Sequence, residues 1–108
     1  MSDFDLSKLY STNELHPKEI SACGATFTVY VRRIPAVDLR RFVAETQSED
    51  RDERASAGFH ALVKSIRRED GNAFATFDQY KKMDAEAIKA LMAVFEEVNR
   101  QQDELGNG

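Results

Sequence analysis

At 108 residues, with 42% hydrophobic and 31% charged side chains, the chain suits one soluble globular domain that buries about two thirds of the surface its unfolded form exposes. A net charge of -4 and a pI near 5.2 leave no surplus of Lys and Arg for general attraction to nucleic-acid phosphates. The single cysteine, Cys23, excludes an intrachain disulfide and the Cys-rich metal frameworks. No apolar run approaches the ~20 residues of a membrane helix, and Met1-Ser2-Asp3-Phe4-Asp5 lacks the basic and apolar segments of a signal peptide, so a cytoplasmic setting is expected.

Residues 1–18 scatter Phe4, Leu6, Leu9, Tyr10 and Leu15 among polar residues without a sustained period, which predicts a flexible N-terminal arm. The pattern then changes. Phe27, Val29 and Val31 alternate with Thr26, Thr28, Tyr30 and Arg32, giving a strand with one buried and one wet face, in a hairpin that turns near Cys23-Gly24. Pro35 cannot donate to a ladder and presets the first turn of a helix over 36–46, with Val37 or Leu39, Phe42 and Val43 directed inward. The polar run Gln47 to Arg54 leads into the acidic first turn of a second helix, where Phe59, Leu62, Val63 and Ile66 form one apolar stripe.

Asp70-Gly71-Asn72 reads as the stop of that helix, with Gly71 free to take a left-handed cap conformation. Thr76 and Gln79 have capping-box spacing ahead of Phe77 and Tyr80, and Asp84 offers an N-cap to the longest apolar stripe, Ile88, Leu91, Met92, Phe95 and Val98. Residues 103–108 form a frayed tail. These elements predict an α+β fold, mostly helical: an N-terminal β-hairpin over 19–33, then helices near 36–46, 52–68, 76–82 and 84–102, in a single domain over 19–102.

No catalytic constellation emerges. His16 and His60 have no cysteine or carboxylate at a metal-ligand spacing and read as structural or solvated. Cys23 has no histidine beside it and reads as a small, semi-buried residue. Glu49, Asp50, Asp52 and Glu53 are interrupted by Arg51 and lack the central glycine of a calcium loop, so they read as a solvated helix start. Gly24, Gly58 and Gly71 are too scattered for a phosphate or dinucleotide loop. No catalytic, cofactor or metal residue is assigned. The one basic concentration is Arg32, Arg33, Arg40 and Arg41, which suits contact with an acidic partner or, as an alternative, a small regulatory or nucleic-acid-binding domain.

Three segments resemble the tail assembly chaperones of long-tailed bacteriophages and prophages: Gly24 to Val37; Leu62-Val63-Lys64-Ser65-Ile66 leading into Glu69-Asp70-Gly71-Asn72; and Ala93 to Asn99. The resemblance covers residues 18 to 100. It implies a non-enzymatic protein that coats the long helical tape measure protein, keeps it soluble and helps recruit tail tube subunits in the bacterial cytoplasm. Such chaperones are typically absent from the mature virion and often exist in a longer, frameshifted form. Multiple copies along a repetitive partner make self-association an expectation as well. The family has no catalytic motif to transfer. The residues expected to contact a partner are Phe4, Leu9 and Tyr10 of the arm with Arg32, Arg33, Arg40 and Arg41, because aromatic and Arg side chains are enriched at interface hot spots.

Overall fold

A computed structural model describes residues 5–10 and 14–99. After a short 3-10 turn at Leu6–Leu9, strands β1 (His16–Ala22) and β2 (Ala25–Val31) form an antiparallel hairpin, followed by helices α1 (Ala36–Thr46) and α2 (Arg51–Ser65). A two-residue strand, β3 (Ile66–Arg67), then precedes α3 (Phe77–Lys81) and α4 (Ala85–Asn99). The fold is α+β, as the sequence pattern predicts, but its sheet has three strands in the order β1-β2-β3.

The hairpin turn needs positive φ at both central residues, and Cys23 at +54° and Gly24 at +76° supply it. Glycine takes this conformation freely. Cys23 is held there by its own amide, which donates to Glu86 Oε2 at 3.0 Å and ties the hairpin tip to the first turn of α4. Its side chain is exposed rather than semi-buried. β1 begins at His16, so His16, Pro17 and Lys18 belong to the sheet and not to the arm, pairing with Val31, Tyr30 and Val29. Pro17 is tolerated because β1 is an edge strand.

Ile20, Ala22, Val29 and Val31 point to the buried face of the sheet, against α4, while α2 meets the sheet at β3. Leu62, Ile66, Tyr80, Leu91 and Phe95 complete the core, with Phe42 of α1 meeting Phe95 edge-on at 5.4 Å. Burial raises the Tyr80 hydroxyl well above its usual range, an effect only partly offset by Arg67, and the hydroxyl donates to Leu62 O at 3.4 Å. On α1 the inward residues are Leu39 and Phe42, while Val43 is 45% exposed and Val37 is 64% exposed. A helix turns about 100° per residue, so once Leu39 and Phe42 face the core, Val43 is carried to its margin.

The second helix ends three residues before the expected boundary at 68. Ile66 lies on the apolar stripe of α2, but it pairs with Val31 of β2, and the Arg32 amide donates to Ser65 O at 2.9 Å. Two buried β-branched residues side by side favour the strand over another half-turn of helix. Gly71, at φ +89°, therefore serves a tight loop and not the cap of α2. There the Arg68 amide donates to Asn72 O at 2.8 Å, the Asn72 amide to Asp70 Oδ1 at 2.9 Å, and Arg67 bridges to Ala73.

Asn99, at the end of α4, holds the crossover from β2 to α1. Its Oδ1 accepts from the Ile34 amide at 2.9 Å, and its Nδ2 donates to Phe95 O at 3.0 Å and Arg32 O at 3.4 Å. By contrast, the buried hydroxyl of Ser65 finds no hydrogen-bond partner among the described residues. The two positions predict opposite outcomes in urea unfolding. Asn99→Ala strands the buried Ile34 amide and lowers stability by about 1–3 kcal/mol, whereas Ser65→Ala removes an unsatisfied hydroxyl and raises it by about 1 kcal/mol.

Candidate functional site

The 3-10 turn in the arm is capped by Asp5, whose Oδ1 accepts from the Ser7 amide at 3.0 Å; that bond holds the Asp5 carboxyl below its usual range. The turn presents Leu6, Leu9 and Tyr10 to solvent, with exposures of 62%, 69% and 67%. Phe4, the other arm residue expected to contact a partner, lies outside the described residues, as does the 103–108 tail.

The four arginines fall into different environments. Arg32 is half-buried, and its Nε donates to Lys64 O at 2.7 Å. Arg67 donates to the same carbonyl through Nε and Nη2, at 3.3 and 3.0 Å, so two cations meet an orphan carbonyl at the negative end of α2. Burial, and then the Arg32 guanidinium, lower the pKa of Arg67. Arg33 is half-buried, and its Nε has no hydrogen-bond partner among the described residues. Arg40 and Arg41 are exposed on α1.

Arg41 opens onto a feature that the sequence did not reveal. A cavity of about 370 Å³ lies between α1, α2 and α3, lined by Arg41, Glu45, His60, Val63, Lys64 and Phe77. The acids of α1 face α2 across it: Asp38 Oδ1 meets Lys64 Nζ at 3.2 Å, and Glu45 Oε2 meets His60 Nδ1 at 3.2 Å. The Phe77 ring stacks on His60 at 4.7 Å, meets Phe59 edge-on at 6.0 Å, and carries Lys81 Nζ 5.5 Å from its centroid. Thr76 fixes this ring by starting α3 with a capping box. Its Oγ1 accepts from the Gln79 amide at 3.2 Å, and Gln79 Oε1 accepts from the Thr76 amide at 2.9 Å.

The remaining candidates take local structural roles. Asp50 caps α2, accepting from the Asp52 amide at 2.9 Å, so the acidic run is a helix start. His16 pairs with Glu14 at 3.4 Å. Cys23, Asp84 and Glu86 place three ligand-type atoms within 4.8 Å of one another on the surface. Both carboxylates are engaged, however: Asp84 accepts from the Glu86 amide at 2.8 Å to begin α4, and Glu86 accepts from Cys23. Among the described residues, no helix is long and apolar enough to cross a membrane.

The order of elements, hairpin then helices, joins a broader match. The family model described as "Phage tail assembly chaperone, TAC" aligns with residues 5–99, taking in the arm turn, the sheet and the cavity. The chain belongs to the phage tail assembly chaperone family. Neither the curated proteins nor the solved structures give a significant match to it. Family membership confirms the resemblance seen in the sequence and extends it to the N-terminal side of β1, where the exposed Leu6, Leu9 and Tyr10 lie.

Thr76 provides a check on how the cavity wall of this tail assembly chaperone is held. Thr76→Ala removes the cap of α3 and lowers stability by about 1 kcal/mol, which for a chain of this size shifts the melting temperature down by roughly 4–8 °C. Differential scanning calorimetry reads that shift.

Proposed function

We propose that this tail assembly chaperone acts without catalysis in the bacterial host cytoplasm, binding the tape measure protein, keeping it soluble and helping to recruit tail tube subunits, and that it is absent from the finished virion. Family membership supports the assembly role. The observation that carries the binding role is the arm. Leu6, Leu9 and Tyr10 are displayed on a capped turn and not folded into the core, and a cluster of exposed apolar side chains on a small chain marks a contact surface.

The proposed contact set is Phe4, Leu9 and Tyr10 with Arg32, Arg33, Arg40 and Arg41. Of the arginines, Arg40 and Arg41 are the best placed, being exposed on α1, whereas Arg32 already donates to the end of α2. That division weakens the nucleic-acid alternative, which needs a row of cations along a phosphate backbone. A long repetitive partner would hold several copies, each contributing modestly, and self-association on it follows from the same reading.

Co-expression with the tape measure protein tests this. Deleting residues 2–15 stops short of β1 at His16, so the melting transition should stay nearly unchanged while the yield of soluble complex falls. Full recovery of soluble tape measure protein with the truncated chain would move the binding surface off the arm.

A further inference from the structure

The geometry points to an occupant for the α1 part of the contact set: the outward face of α1 and the cavity beside it receive an acidic, amphipathic helix of a partner protein. An apolar side chain of that helix enters between Val63 and Phe77, and its carboxylates meet Arg40 and Arg41. The identity of the natural partner rests on the chaperone reading; the chemistry of the surface does not.

The argument starts from how α1 distributes its charge. Its only acids, Asp38 and Glu45, are half-buried and paired across to Lys64 and His60 of α2. Its only bases, Arg40 and Arg41, are exposed, and among the described residues neither has a carboxylate partner. The exposed charge of the helix is therefore positive, with Asp38 and Glu45 turned to α2 and Arg40 and Arg41 turned to solvent. Val37, Arg40, Arg41 and Ala44 stand at i, i+3, i+4 and i+7, the spacing of a face against which another helix packs, and all four are exposed.

The cavity adds the anchor. About 370 Å³ accommodates one or two large side chains and not a whole segment, which is how an apolar residue of a docked helix is held in a groove. Its apolar walls are Val63 and Phe77, and Phe77 is in contact with His60, Phe59 and Lys81. Arg41 lies on both the cavity rim and the outward face, so one helix engages both. A polyanion such as RNA suits the site less well, because Glu45 lines the same cavity and Asp38 lies beside it on α1.

The test uses the full chain and labelled synthetic helices of about twenty residues, long enough to hold helical structure. One is built from Leu, Ala and Glu; its counterpart carries Lys in place of every Glu. Anisotropy titrations should show saturable binding of the Glu peptide, and amide shifts should move in residues 37–45, 60–64 and 77. Arg41→Glu, at an exposed position that leaves the fold intact, should weaken the Glu peptide roughly five- to tenfold, replacing one attractive charge pair by a repulsive one, and should strengthen the Lys peptide. Unchanged affinity in Arg41→Glu, shifts confined to residues 5–10, or equal displacement by a single-stranded oligonucleotide would each overturn the inference. Co-expression separates it from the chaperone reading. Arg41→Glu losing soluble tape measure protein that the unaltered chain retains supports the surface, while equal retention by both overturns the surface and leaves the chaperone role standing. Saturable, Arg41-dependent binding of the Glu peptide supports the surface even where the unaltered chain fails to retain the tape measure protein, and in that case only the chaperone reading fails.

Discussion

The junction Lys64-Ser65-Ile66 fixes how the helical layer sits on the sheet. Within three residues the chain leaves α2, places Ile66 beside Val31 at the centre of the core, and offers three carbonyls to four donors. Lys64 O takes the guanidiniums of Arg32 and Arg67, Ser65 O takes the Arg32 amide, and Ile66 O takes the Phe74 amide at 3.2 Å. A helix end buried in a core leaves orphan carbonyls that must be satisfied, and here Arg32 just past β2, Arg67 of β3 and Phe74 of the following loop supply the donors. The position of α2, and with it one wall of the cavity, follows from that satisfaction. The unpaired Ser65 hydroxyl marks how little room the junction leaves.

Asn99 does for the other side of the molecule what this junction does for α2. The crossover Arg32 to Pro35 carries no ladder of its own, yet Ile34 is buried and its amide needs an acceptor. A side chain from the last turn of α4 provides one, so α1 is positioned by α4 through a hydrogen bond and by the Phe42–Phe95 contact. Those two constraints act together with the more extensive packing of α1 along α2 to set the rotation of α1 about its axis. Once Leu39 and Phe42 face inward, Asp38 and Glu45 turn to α2 and the arginines turn to solvent, so the charge pattern at the surface follows from apolar packing beneath it.

Local chemistry was legible in the sequence wherever one residue decides the outcome. Pro35 starts α1, Thr76 with Gln79 boxes α3, Asp84 opens α4, and Gly24 permits the hairpin turn. What escaped were decisions made by distant residues. Ile66 satisfies a helical period and a strand pairing equally well, and only Val31 breaks the tie. His16 to Lys18 hold no strand pattern by themselves, because Pro17 obscures it, and they become β1 through pairing with β2. The cavity was illegible for the same reason: its six lining residues come from three helices, and no spacing along the chain relates Arg41 to Val63 or Phe77. The arginine cluster read as one patch divides in space, since Arg32 is recruited to the end of α2 while Arg40 and Arg41 stand exposed on α1.

The net charge of -4 and the positive face of α1 are compatible once the acids are located. Asp50, Asp52 and Glu53 occupy the start of α2, Asp78 the first turn of α3, and Asp84 and Glu86 the start of α4, where the helix ends favour negative charge. Glu97 pairs with Lys18 at 2.6 Å. At physiological ionic strength exposed charges are screened within about 8 Å, so a docking segment responds to the nearby face and not to the sum over the chain. The exposed face of α1 therefore stays positive at its own surface although the chain as a whole is acidic.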